Sequence, residues 1–198
     1  MGRVIPFIAC VLVHTIATAT VLVPAEFREI VGGSEIIAHA RIVDVRPQWA
    51  DGRRWVDSIV TAEVLTSLKG GVSNTVTFKV PGGQLGRYRS VVIGAPVFNK
   101  GDEAVLFLKQ GSEEWPSVFG LNQGVFRVRR DAHTGQQIVV PPVMSATVAT
   151  AASTAEGQPI RRGAVERKPM PIEAFGARVR EAMAARPAAV ASAPRGGR

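Results

Sequence analysis

The 198-residue sequence predicts a mainly β protein, an antiparallel barrel or sandwich with a short helix before it. A flexible linker and an amphipathic helix follow the β part. Three observations carry this reading. From residue 36 to residue 140 apolar side chains tend to recur at every second position, the repeat of a strand with one buried face. Gly, Pro and Asp interrupt the repeat at short intervals, as turns between antiparallel strands require. After residue 143 the repeat stops, and near residue 171 a helical period replaces it.

The elements follow in order. In "VLVPAEFREIVGGSE", Pro24 suits a first helical turn, Gly32-Gly33 suits an end, and Phe27, Ile30 and Val31 form one stripe. A helix over 24–31 is expected. In "SEIIAHARIVDVR", Ile36, Ala38, Ala40 and Ile42 alternate with Ile37, His39, Arg41 and Val43. In "WVDSIVTAEVLTSL", Val56, Ser58, Val60, Ala62 and Val64 share a face. These are two long strands joined by a turn at Asp51-Gly52. "LKGG" ends the second and "NTVTFKV" makes a third. "RSVVIG" is expected as a fourth, "EAVLFLK" as a fifth and "WPSVFGL" as a short sixth. "GVFRVRR" and "QQIVV" pair as a hairpin across "DAHTG". The β domain thus covers residues 20–143.

Residues 144–168 fall to Ala, Thr, Ser, Gly and Arg and read as a disordered linker. Over 169–186, Ile172, Phe175, Val179, Ala182 and Met183 share one helical face, with Pro171 at the first turn. Residues 187–198 read as a disordered tail.

The first residues, "MGRVIPFIACVLVHTIATAT", have a positive start, an apolar stretch and small residues at Ala17 and Ala19. This is the pattern of a secretory signal over 1–19, cleaved near Ala19. Cys10 is the only cysteine and lies inside it. The processed chain therefore offers no disulfide, thiolate ligand or cysteine nucleophile. Export without disulfides fits a bacterial periplasm or exterior. The net charge is +8, but its excess is concentrated in residues 142–198, where nine Lys and Arg face four acids. The β domain is nearly neutral, so no nucleic-acid partner is expected.

Candidate chemistry is sparse. "VPGGQLGRYRS" has glycines between two strands, whereas a phosphate loop needs a strand, glycines and then a helix. The glycines read as turn residues, with Gly82, Gly83 and Gly86 at bends. Asp102 and Glu103 read as a solvated turn after Asn99-Lys100-Gly101, and Glu113-Glu114 likewise. His39 sits mid-strand and His133 at a hairpin tip, with no metal-ligand spacing between them. Ser58 and Ser90 lack a nucleophile-elbow context. Asn122 and Gln123 read as loop ties. No catalytic, cofactor-binding or metal-ligating residue is singled out, and no cofactor is expected. The candidates for partner contact are the loops 46–54 and 82–90, with Trp49, Arg53, Arg54, Arg87, Tyr88 and Arg89, and Trp55 next to the first of them. Arginine and aromatic residues are what interface anchors are made of.

The succession "PAEFREIVGGSEIIAHARIVDV", "WVDSIVTAEVLTSLKGG", "VTFKVPGG", "GAPVFNKGDEAVLFL" and "GLNQGVFRV" resembles a family of small exported bacterial proteins over about residues 24–141. Gly101-Asp102-Glu103 matches that pattern only with one residue inserted. The resemblance implies a β-barrel domain and no particular activity. More distantly, "VLTSLKG" and the strand succession resemble the OB-like barrel of netrin-like modules, which include tissue inhibitors of metalloproteinases. That likeness implies fold alone, since the processed chain lacks the N-terminal cysteine those inhibitors present.

The function expected is that of an exported, non-enzymatic binding module whose partner is a protein or another envelope component. Two alternatives stay open: an exported protease inhibitor of netrin-like type, with a wedge of loops beside the mature N-terminus, and a hydrolase without a recognisable motif. The C-terminal helix either docks on the barrel or contacts a partner or an anionic membrane through Arg178, Arg180 and Arg186.

Overall fold

The computed structural model describes residues 24–72, 74–111, 113–142 and 168–185. The expected signal segment, nearly all of the expected linker and the expected tail lie outside these residues.

The first helix, α1, is Phe27–Gly32, shorter than expected and starting later. Pro24 stands before it. The Glu26 N–H donates to the Glu29 carboxylate at 2.9 Å, which closes the first turn.

The strands are β1 (Ile36–Ala50), β2 (Trp55–Lys69), β3 (Thr75–Pro81), β4 (Gly83–Leu85), β5 (Tyr88–Ser90), β6 (Glu103–Lys109), β7 (Ser117–Val118), β8 (Val125–Arg130), β9 (Gln137–Val140) and β10 (Met170–Pro171). β1, β2 and β3 form an antiparallel meander. β6 returns antiparallel to β1, and β7 lies between β6 and β3, parallel to β3. The ring β1-β2-β3-β7-β6-β1 is closed, so the protein is a five-stranded β-barrel. Closure removes most of the edge that an open sheet would expose. β8 and β9 extend the sheet beyond β6 as the expected hairpin, and β10 adds to β9.

Two strand expectations need correction. In "RSVVIG" the strand ends at Ser90, and the apolar residues after it pair with nothing as a ladder. In "WPSVFGL" only Ser117 and Val118 pair, and the chain then turns into a 3-10 helix over Leu121–Gly124.

Alternation along the strands makes two cores. Inside the barrel lie Ala40, Ile42, Val60, Ala62, Phe78, Val80, Ala104, Leu106 and Leu108. On the outer face, Ile37, Val105, Phe107, Phe126 and Val139 pack under α1 and the C-terminal helix α2 (Ile172–Ala184). α2 docks on the barrel through Phe175, Gly176 and Val179, with Ile172 and Ala182 at the margin. Phe27, Phe107, Phe126 and Phe175 meet with ring centroids 5.0–6.2 Å apart, largely edge to face. Met183, expected on the buried face, lies at the exposed side. No helix among the described residues is long and apolar enough to cross a membrane.

Candidate functional site

The mouth of the barrel is built by three pieces of chain. The β1–β2 hairpin supplies Ala50, Asp51 and Trp55. The β6–β7 connection supplies Glu113. A strap over residues 91–97 lies between β5 and the next turn. Together with β3 they line a cleft of about 940 Å3 that includes Trp55, Val91, Val92 and Leu121. A second cleft of about 390 Å3, lined by Val60, Val80 and Phe98, lies along the same strap.

Local sequence explains the strap. Gly82, at φ +95, ends β3 and lets the β4–β5 hairpin fold back toward β2. The Ser58 hydroxyl donates to the Gly82 carbonyl at 2.8 Å, and the Ser90 hydroxyl accepts from the Val56 N–H at 2.8 Å. These two serines therefore fasten the hairpin. After Ser90 the chain turns at Gly94, φ +85, with the Ala95 N–H bonded to the Val92 carbonyl at 3.1 Å. The Asn122 N–H donates to the Gly94 carbonyl at 3.1 Å, and the Arg127 guanidinium holds the Val97 carbonyl. Phe98 is buried edge-on against Phe78 at 5.5 Å. Between these fixings Ile93 is 92% exposed, Val97 75% and Val91 71%.

The sequence-predicted contact residues divide. Arg46 to Ala50 belongs to β1, and the tip proper is Asp51 to Arg54. Trp49 pairs with Val56, and Ala50 with Trp55. Residues 82–90 are mostly the β4–β5 hairpin, with Gly86 at its turn as expected. The structure brings Trp49 and Tyr88 together, ring centroids 5.1 Å apart, and stacks Arg87 over Tyr88 at 5.1 Å. The Arg87 guanidinium also donates to the Tyr88 hydroxyl at 3.0 Å. Trp55 belongs to the cleft instead, and Arg54 pairs with Asp51 at 3.3 Å. Arg53 and Arg89 are exposed at the same barrel end. The exposed apolar tip at Val91, Val92 and Ile93 escaped the sequence reading, although Gly94 and Pro96 argue against a strand there.

No known family, characterised protein or solved structure matches this chain. Chemistry must therefore be read from the residues themselves.

A polar site lies elsewhere, on the outer face beneath α2. Arg41 sits opposite Glu103 in the β1–β6 ladder, and His39 is two positions along the same face. His39 Nε2 is 2.7 Å from Glu103 Oε1. A carboxylate only accepts, so this ring donates from Nε2. Gln137 donates to the same oxygen at 2.9 Å, and the Arg41 guanidinium lies 3.7 Å from the other. Glu103 is thus a partly buried hub rather than a solvated turn residue. The reason is the register of β6 on β1, which sets Glu103, the first residue of β6, opposite Arg41 and on the same face as His39. Asp102 does lie at the turn, where its carboxylate accepts from the Asn99 N–H at 2.9 Å and from Arg127 at 2.7 Å. The adjoining cleft, about 520 Å3, is lined by Thr66, Leu68, Glu173, Phe175 and Arg180.

The remaining candidates have structural roles. The buried Gln123 accepts from the Ala25 N–H at 2.7 Å and ties the chain before α1 to the 3-10 turn. Lys79 bridges the Asp57 carboxylate, at 3.8 Å, and Glu113. Among the described residues no three His, Cys, Asp or Glu side chains converge as a metal site.

Proposed function

We propose that this chain is an exported, non-enzymatic interaction module that contacts its partner through the mouth of the barrel. One observation carries the reading: a strap fixed at both ends holds Val91, Val92 and Ile93 outward beside Trp55 and an open cleft. Apolar patches of this kind mark interaction sites on folded proteins. The signal-like N-terminus supports export. The barrel core is made of aliphatic and phenyl side chains.

The test places a photo-crosslinking residue at position 93 and, as a control, at position 183 on α2, in the host cell. A defined adduct from 93 that is absent from 183 is expected. Equal adducts from both positions, or no adduct to protein or lipid from 93, overturn the reading.

The inhibitor alternative gains support from one contact pattern. Ala25 is held by Gln123, and neighbouring Asn122 is bonded to the strap at Gly94, so the start of the described chain adjoins the mouth. Inhibition of a protease, lost on Ile93→Asp, would favour it. The hydrolase alternative rests on the His39–Glu103 pair, and measured turnover abolished by Glu103→Gln would favour that instead.

A further inference from the structure

We infer that the partner met by the barrel mouth is an anionic bilayer surface, into which the strap inserts Val91, Val92 and Ile93. The inference rests on the interaction-module reading above and names the partner class.

The arrangement of side chains separates a bilayer from a protein partner. In protein hot spots aromatic residues and arginine sit at the centre, and valine is under-represented. Here the order is inverted. Aliphatic side chains form the projecting tip, Trp55 lines one cleft with Val91 and Val92, and Arg89 lines the adjoining cleft with the same two residues. A projecting aliphatic tip needs a partner that yields to it. Hydrocarbon does, and amphipathic rings and guanidinium groups settle at the headgroup level around it.

Charge points the same way. Segments 44–54 and 82–97 carry five arginines and two aspartates, and in the cleft beside them Lys79 is paired with Asp57 and Glu113. Asp44 pairs with Arg46 and Asp51 with Arg54. Among the described residues Arg53, Arg87 and Arg89 pair with no carboxylate. Lipid phosphates are the complementary groups. The tip is also held ready. The Gly94 and Val97 carbonyls are bonded and Phe98 is buried, so the backbone fixings keep Ile93 outward.

The experiment uses residues 20–198, which contain no cysteine, with a melting curve to confirm folding. Ile93→Cys carries a polarity-sensitive dye, and Met183→Cys carries it as a control. Vesicles of phosphatidylglycerol should shift the emission at 93 to the blue, and vesicles of phosphatidylcholine alone should do so far less. The dye at 183 should not respond. Arg53→Ala and Arg89→Ala should each weaken binding about fivefold at low salt, and added salt should weaken it further. Ile93→Asp should reduce vesicle partitioning at least ~10-fold. A silent dye at 93 overturns the inference, as does an equal response to both vesicle types. If the dye is silent while position 93 still crosslinks a protein, the bilayer falls and the module reading stands. If both are silent, both fall.

Discussion

Replacing Phe175 with alanine tests whether the last helix is part of the folded unit. Phe175 is 3% exposed and sits 5.0 Å from Phe126, 5.6 Å from Phe27 and 6.2 Å from Phe107, centroid to centroid. Buried Phe-to-Ala changes cost about 3–5 kcal/mol, the removed transfer free energy plus that of the cavity left behind. Little can close this cavity. Ile37, Val105 and Phe107 are anchored in the ladder between β1 and β6, and Gly176 beside Phe175 brings no side chain to fill it. For a chain of this size each kcal/mol lowers Tm by roughly 2–4 °C, so a fall of roughly 6–20 °C is expected. Thermal unfolding of the full chain, followed by circular dichroism, measures it. Met183→Ala on the exposed side of the same helix should change stability by less than ~0.5 kcal/mol. Deleting residues 144–198 should lower Tm at least as much as Phe175→Ala. A Tm for Phe175→Ala within ~2 °C of the parent would refute the docked helix, because no buried phenyl is lost that cheaply.

Three further outcomes follow from single sites. Gly124→Ala should destabilise by about 1–3 kcal/mol in urea unfolding, since its added Cβ would meet the Phe107 carbonyl at 2.7 Å and the Phe119 carbonyl at 3.0 Å. Glu103→Ala leaves the buried His39 without its acceptor and should cost about 1–3 kcal/mol, with Glu103→Gln costing less; equal costs would argue against the hub. The Thr134 and His133 N–H groups and the Thr134 hydroxyl hold the Asp131 carboxyl below its ordinary 3.8. A depressed carboxyl contributes its stabilisation above the unfolded value and loses it as pH falls through the folded one. A midpoint at or above 3.8 in an NMR titration of Asp131 would remove this turn from the account.

The barrel was legible because its interior depends on alternation, and alternation is written in consecutive residues. Val60, Ala62 and Val80 fall inside as their two-residue spacing demands. The outer core was only half legible. Ile37, Val105 and Phe107 read as the second face of their strands, yet nothing local says that α2, far along the chain, returns to cover them. The His39–Glu103 hub was hidden for a related reason: it depends on the register of β1 against β6, two strands 64 residues apart at the contact. The tip of the strap was misread because Val91, Val92 and Ile93 are strong strand formers, and propensity yields to pairing geometry.

That geometry explains why the tip cannot be folded away. Gly83 pairs with Ser90, so extending β5 by two residues would set Val91 and Val92 against Gly82 and Pro81. Gly82 has left the strand region at φ +95, and Pro81 has no N–H to donate and is already paired with Asp57 in β3. The ladder therefore stops where the apolar run begins. An aliphatic run with no ladder to join is normally replaced by polar residues, since each exposed side chain forgoes burial at about 25 cal/mol per Å2. Isolated surface valines need no explanation, but four aliphatic residues within seven positions, braced by Arg127, Asn122 and Phe98, form a constructed surface. The same chain covers Val105 and Phe107 on the outer face of β6 with its helices. One apolar face closed and another braced open is the contrast that supports the proposal of a partner at the mouth.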